Sequence, residues 1–451
     1  MRSIWAVATN TIKQAIRMKV AVVFLILLLV LLFAMGFSAT GDGTLKGRLQ
    51  TFVSYGLSLT AILLSLLTII ISIYTVTSDI EQRQIYTVIT KPIRRFEFLL
   101  GKLIGVILLD IILLSLFAAI IYTITIYMPK FTKAPELERM QANYEFFTAR
   151  ASLTVPAIDV SKEVEDTYNK LERSGGLPEN VPYEEMIAQI TMQKQLANRA
   201  ADVGQVLIWE FENVKSLAQN FFIKFKYDVA VNPPDMQVYG RWVAGDYQSI
   251  KYGTESETPI YNQVHKNSVR DFHEIVIPAE VIPENGRLAV GFQNHPYNST
   301  VIFFPPDGIE VLYKADTFTG NFIRVIFLIL FRLIFLACLG TLAATFLSFP
   351  VAILLCLVLF TTSCFSGFVM ESFGFLSPNV SELYTYTIKW LVKLLPQFDK
   401  YNPTRFMVPG LLLSWSVMAR CAAVMVGIKS LLLLVFALII FSYREIAKII
   451  V

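Results

Sequence analysis

Charge is what this sequence lacks most. Only 16% of its 451 residues are Asp, Glu, Lys or Arg, and 55% are hydrophobic. A typical soluble domain carries about 25% charged residues, so the composition is that of a membrane protein. Histidine is almost absent. His265 and His273 stand eight residues apart across an expected strand, His295 lies further on, and no acids stand in ligand spacing beside them. No metal site is expected. The four cysteines, Cys338, Cys356, Cys364 and Cys421, lie in or beside apolar runs and form no CxxC pair. They read as small buried hydrophobes. With histidines and cysteines so placed, no Ser-His-Asp or Cys-His set can be assembled, and catalysis by a covalent nucleophile is not expected. A phosphate-binding loop is missing too. Gly101-Lys102 has Phe96 where the first glycine of such a loop would stand and Leu103 in place of Ser or Thr. The net charge of +4 is modest and does not imply nucleic acid.

What is present is a series of long apolar runs. They fall at residues 20–39, 52–76, 98–128, 333–347, 351–370 and 424–441. About 20 residues cross a bilayer as a helix, and the third run, which is longer than that, should tilt or project outward. The first run is too long for a signal-peptide core and is read as a retained helix. Ser58, Ser65, Thr68 and Ser72 in the second suggest close helix packing. The third carries Asp110. A carboxylate in hydrocarbon is costly, so Asp110 should face the bundle or a watery cavity, either as a pathway residue or as a polar tie between helices. Before the first run, residues 1–19 form an amphipathic pattern. Ile4, Val7, Ala8, Thr11, Ile12, Ala15 and Ile16 share one face, and Lys13, Gln14 and Arg17 lie off it. Such a helix rests in a membrane interface.

Residues 77–102, TSDIEQRQIYTVITKPIRRFEFLLGK, organise the rest. Ser78 and Glu81 fit a capping box that opens a helix, and Pro92 should end it near Lys91. Lys91, Arg94, Arg95 and Lys102 crowd the next apolar run, and this bias places the segment on the cytoplasmic side. The segment resembles the first cytoplasmic loop of ABC-2 type permeases, the membrane subunits of one class of ATP-binding-cassette transporter. The likeness rests on Glu81, on Lys91-Pro92, on Arg94-Arg95 and on Gly101-Lys102. It extends to the amphipathic start, where such permeases have an elbow helix, to residues 340–352, and to Tyr443-Arg444-Glu445. Arg83-Gln84 stand where the family often has Gly-Thr. The resemblance implies a coupling helix that docks on a separate ATPase, with Glu81, Arg83, Lys91, Pro92, Arg94, Arg95, Gly101 and Lys102 as its docking residues. It also implies a second permease subunit, identical or not. It implies further that this chain binds no cofactor and that ATP with Mg2+ is held by the partner ATPase.

The chain therefore divides into residues 1–128, with the elbow, three spans and the coupling loop, an extracytoplasmic insertion at 129–319, and residues 320–451, with three more spans and an extracytoplasmic segment at 371–424. The insertion reads as helical over 134–217 and β-rich over 220–316. Short alternating strands and the turns at Pro233-Pro234, 284–286 and 305–308 suggest a β-sandwich. Tyr239, Trp242, Tyr247, Tyr252 and Tyr261 are candidates for a sugar or peptide platform, against the core role more usual for strand aromatics. Asn298-Ser299-Thr300 fits a glycosylation acceptor, discounted for a prokaryotic protein. Residues 321–331 should lie along the outer interface, with Arg324 and Arg332 reaching head groups. Residues 384–395 are read as a re-entrant or interfacial helix.

The expected fold is thus an α-helical polytopic membrane protein with about six transmembrane helices and a large extracytoplasmic α+β insertion. It sits in a prokaryotic plasma membrane with both termini cytoplasmic. The expected function is the permease subunit of an ABC-2 type transporter, exporting a substrate or transmitting force, and no enzyme itself. The alternative is a non-transporting membrane anchor whose outer domain binds glycan or an envelope protein.

Overall fold

A computed structural model describes residues 2–81, 94–132, 134–155, 159–174, 183–253, 258–305, 308–373 and 395–443. The chain splits into two compact units, Met1–Ala149 with Thr317–Val451, and Arg150–Asp316.

The first unit is helical. It contains α1 (Arg2–Ile16), α2 (Lys19–Ser38), α3 (Leu45–Glu81), α4 (Arg95–Phe131) and α5 (Glu136–Glu145). After the second unit follow α9 (Phe318–Phe346), α10 (Phe349–Phe373), a single turn α11 (Thr404–Met407) and α12 (Trp415–Tyr443). Among the described residues, six helices are long and apolar enough to cross a membrane: α2, α3, α4, α9, α10 and α12. The chain is a polytopic helical membrane protein with a strand-rich region. Helix α3 is the hub. Two thirds of its most apolar window (67%) is buried, against 17% for α2 and 22% for α10 and α12. Its inner side carries Thr60, Ser65, Thr68, Ser72 and Thr75, all buried. The hydroxyls of Ser65 and Thr75 bond back to carbonyls four residues earlier, Thr68 reaches both the Leu64 carbonyl and Asp110, and Thr60 Oγ1 alone of these has no partner among the described residues. A Cβ on Gly340 of α9 would stand 3.0 Å from the Cβ of Ser72, so α3 and α9 touch closely there.

Several boundaries differ from the sequence expectation. Ser78 does not open a helix. It lies in the last turn of α3, which runs on from Leu45 to Glu81, and its hydroxyl accepts a bond from Gln14. Residues 321–331 do not form a separate interfacial helix, because α9 is continuous from Phe318, where Thr317 caps it by accepting from the Gly320 N–H. Arg324 and Arg332 do not reach outward. The Arg324 guanidinium lies 4.8 Å over the Trp415 ring and donates to the Leu413 carbonyl. That of Arg332 lies between Phe360 and Phe398, 4.8 and 4.7 Å from their ring centres. Asn321 completes this bracing with bonds to Leu411 O and Leu413 N, both 2.8 Å. The last helix starts at Trp415, not near 424, because Ser414 caps it. It widens to a π-helix over Ala423–Ser430. Most of the expected helix at 384–395 lies outside the described residues, as do residues 444–451.

The second unit contains α6 (Ser161–Arg173), α7 (Tyr183–Ala197), α8 (Tyr247–Tyr252) and strands β1 (Thr148–Thr154), β2 (Ala200–Ala201), β3 (Val206–Phe211), β4 (Asn220–Phe225), β5 (Asp228–Val229), β6 (Gln237–Asp246), β7 (Tyr261–Ser268), β8 (His273–Pro278), β9 (Leu288–Asn294), β10 (Ile302–Phe303) and β11 (Ile309–Thr317). They form sheets of order β1-β11-β4-β8, β3-β9-β6-β7 and β2-β10-β5. The stretch expected to be helical, 134–217, holds β1, β2 and β3 as well as helices, and α5 within it belongs to the first unit. Alternation sets the core. Phe221, Ile223 and Phe225 of β4 pack in one cluster with Trp242, Val290 and Phe292 of the other large sheet. Trp242 is fully buried, 4.4 Å from Phe225 and 5.0 Å from Phe292 by ring centres. It is a core residue and not part of a platform.

Candidate functional site at the helix ends around residues 82–93

Helix α3 ends at Glu81 and α4 begins at Arg95, so both flank the segment that the sequence singles out. Arg83, Lys91 and Pro92 lie outside the described residues. Glu81 and Arg94 are exposed. The Arg94 backbone N–H donates to Glu97 at 3.2 Å, which caps α4. Arg95 is exposed and donates to Ser442 O of α12 at 2.9 Å. One turn on, Phe98 stacks on Phe441 with ring centres 6.0 Å apart. The start of α4 is therefore fixed to the end of α12.

Gly101 and Lys102 face inward. A Cβ on Gly101 would stand 2.6 Å from the Cβ of Val7 and 2.9 Å from Ile4 O. One on Gly105 would stand 2.7 Å from the Cβ of Thr11 and 2.8 Å from Ala8 O. Two glycines four apart thus let α1 lie against the backbone of α4, the small-xxx-small device of membrane helix pairs. The amphipathic helix does not rest on its apolar face alone. Ala8, Thr11 and Ala15 are buried as expected, but Ile16 is exposed.

This docking brings Gln14 to Lys102. The Lys102 side chain is 1% exposed. Its ammonium stands 2.7 Å from Asp79 Oδ2, donates to Gln14 Oε1 at 2.9 Å, and lies 5.5 Å over the Phe98 ring centre. Gln14 in turn donates to Ser78 Oγ at 2.9 Å and more loosely to Asp79 Oδ1 at 3.4 Å. Four side chains from α1, α3 and α4 form one closed polar knot. Each partner satisfies another, which is what makes a buried ion pair tolerable. Mechanically the knot joins both helices that flank residues 82–93 to the N-terminal helix. Sequence reasoning placed Gln14 off the working face and did not single out Asp79. A buried charge needs a countercharge, and that requirement for Lys102 was the available signal.

Asp110 lies eight residues along α4, roughly 12 Å from Lys102. It is 1% exposed. Its Oδ1 accepts from Thr68 of α3 at 2.8 Å, and its Oδ2 has no partner among the described residues. It is a second polar tie between α3 and α4.

The second unit holds a polar pocket of about 490 Å3, lined by Arg241, Asn262, Gln263, Gln293 and His295. Arg241 Nε donates to Asn262 Oδ1 at 2.8 Å. Of the expected platform residues, Tyr239 lies beside Tyr297 and His295, while Tyr252 and Tyr247 meet on α8. Tyr261 bonds His265 at 2.9 Å, and burial holds the His265 imidazole below its ordinary pKa. His273 bonds Ser268 instead, so the histidines are not gathered into one site. No family model matches the chain, and no curated protein matches it at a significant level.

Proposed function

We propose that the chain is the membrane subunit of an ABC-2 type transporter, with residues 82–93 as the contact to a separate cytoplasmic ATPase. The reading rests on the sequence resemblance, and the knot of Gln14, Ser78, Asp79 and Lys102 is the observation that carries it further. A segment that receives force from a partner is useful only if its flanking helices move together. Here α3, α4 and α1 are joined within about three turns of that segment. In this reading ATP and Mg2+ belong to the partner. Gly101 is covered by Val7 and Ile4, which leaves no room for a phosphate there. A second copy or a related chain completes the unit, in a prokaryotic plasma membrane with both termini cytoplasmic. The two large sheets of the strand-rich unit form a β-sandwich on the far side, and the transporter exports a substrate or transmits force to the envelope.

The test is co-purification in mild detergent from the native host. Wild-type chain should carry a stoichiometric protein with a Walker A loop. Arg94→Glu, at an exposed residue, should lose it while the thermal midpoint holds. Undiminished co-purification by that variant would refute docking at this segment. The polar pocket around Arg241 favours a second reading, a membrane anchor that binds glycan or protein through its strand-rich unit. Recovery of envelope components in place of an ATPase would favour it.

A further inference from the structure

A groove runs between the end of α2, the start of α3 and the end of α4. It is lined by Phe33, Gly36, Arg48, Tyr127, Phe131 and Thr132, among others, and measures about 770 Å3. Its walls are apolar and open. Phe131 is 83% exposed, and Phe33 and Tyr127 are exposed as well. Gly36 forms the floor, where an added Cβ would meet Ile124 at 3.5 Å. Into this groove projects one cation. Arg48 is half-buried, its Nε is shut off from water, and its side chain makes no hydrogen bond or ion pair among the described residues.

The Nε atoms of Arg324 and Arg332 are likewise buried with no hydrogen bond among the described residues, but their guanidinium groups have other contacts. Arg324 has Trp415 and a carbonyl, and Arg332 has two phenyl rings and Cys364. The neighbouring cation, Lys46, pairs with Glu145. Among the described residues no carboxylate lines the groove. A guanidinium so placed carries an unmet desolvation cost, and its planar fork matches a phosphate with two parallel bonds. The position is also telling. Arg48 lies in the first turn of a membrane-spanning helix, level with the last turn of α4, where head groups meet hydrocarbon. From Thr132 to Thr123 the groove follows α4 for roughly 13 Å into the apolar zone.

We propose that this groove holds one anionic phospholipid, its phosphate on Arg48 and one acyl chain along Phe33, Tyr127 and Phe131. The volume suits a phosphate and one chain, not a whole two-chain lipid, so the second chain stays in the bilayer. The proposal does not depend on the transporter reading.

Native mass spectrometry of the full chain, titrated with phosphatidylglycerol, tests it. Wild type should show a saturable adduct of one lipid. Arg48→Gln should weaken that adduct by about 10-fold, as expected for losing a charged hydrogen bond. Phe131→Ser, at a residue too exposed to disturb folding, should weaken it as well, whereas Arg405→Gln, at an exposed arginine elsewhere, should not. Equal adducts on wild type and Arg48→Gln would overturn the proposal. Glycerol 3-phosphate is the probe for the head group alone. If it displaces the lipid at comparable concentration, the site serves a free phosphate and the lipid assignment falls.

Discussion

Lys102 carries a charge into a place without water, and Asp79, Gln14 and the Phe98 ring share it. Removing one member strands the rest. Lys102→Ala leaves Asp79 without its cation, and a broken buried pair costs about 3–5 kcal/mol. Replacing both, as Lys102→Met with Asp79→Leu, removes the stranded charge and should recover most of that loss. Thermal unfolding in detergent decides the matter. If the double variant is no more stable than Lys102→Ala, the pair is not what holds these helices. The sequence made Lys102 visible but not its direction. It was one of four basic residues in a basic stretch, and only the phase of α4 turns it inward while Arg94 and Arg95 stay outside. Asp79 was hidden for the same reason, being one charge in a charged stretch. Asp110 was legible because it stands alone in hydrocarbon, and a lone acid there must find a donor, here Thr68.

At the scale of elements, hydropathy located the six long helices and misjudged their ends. A span is set by apolar length, but a helix continues until its backbone bonds run out. Helix α3 begins seven residues before the apolar run and ends five after it, which is why an S-x-x-E pattern at Ser78 proved to lie within a helix. Thr317 and Ser414 start α9 and α12 early by capping them, a signal that polar composition around them obscured. The contact of α1 with α4 rests on Gly101 and Gly105. Gly105→Val puts a branched side chain where only a hydrogen fits, with Thr11 and the Ala8 carbonyl in the way. Helix α1 should lift from α4 and Gln14 should leave the knot. Hydrogen exchange over residues 2–16 should then rise by at least ~10-fold, as local opening becomes easier. Unchanged protection would mean that α1 is held by something other than this contact. Gly105→Ala, a smaller intrusion, should give an intermediate rise.

Among the described residues three apolar clusters stand apart, one shared by the long helices, one by the sheets and a small one between α6 and α7. Composition shifts announced an insertion, but its borders were set by packing. Helix α5 is charged and looked like part of the insertion. Instead its Glu138 accepts from Leu45 N and its Glu145 pairs with Lys46, so it caps α3. The cut that respects the cores is therefore at 150–316. Within the helical unit the two stumps are already near each other, since Phe147 and Phe318 meet with ring centres 5.4 Å apart. A Gly-Ser linker of about six residues reaches roughly 20 Å and should close the gap without strain. We expect the chain lacking 150–316 to remain monodisperse in detergent and to unfold cooperatively. Aggregation on excision would show that the helical core depends on the strand-rich unit. The same variant separates the two functional readings. A permease core keeps its contact through residues 82–93 and should still capture an ATPase. An anchor has its binding surface in the removed unit, around Arg241 and His295, and should capture nothing.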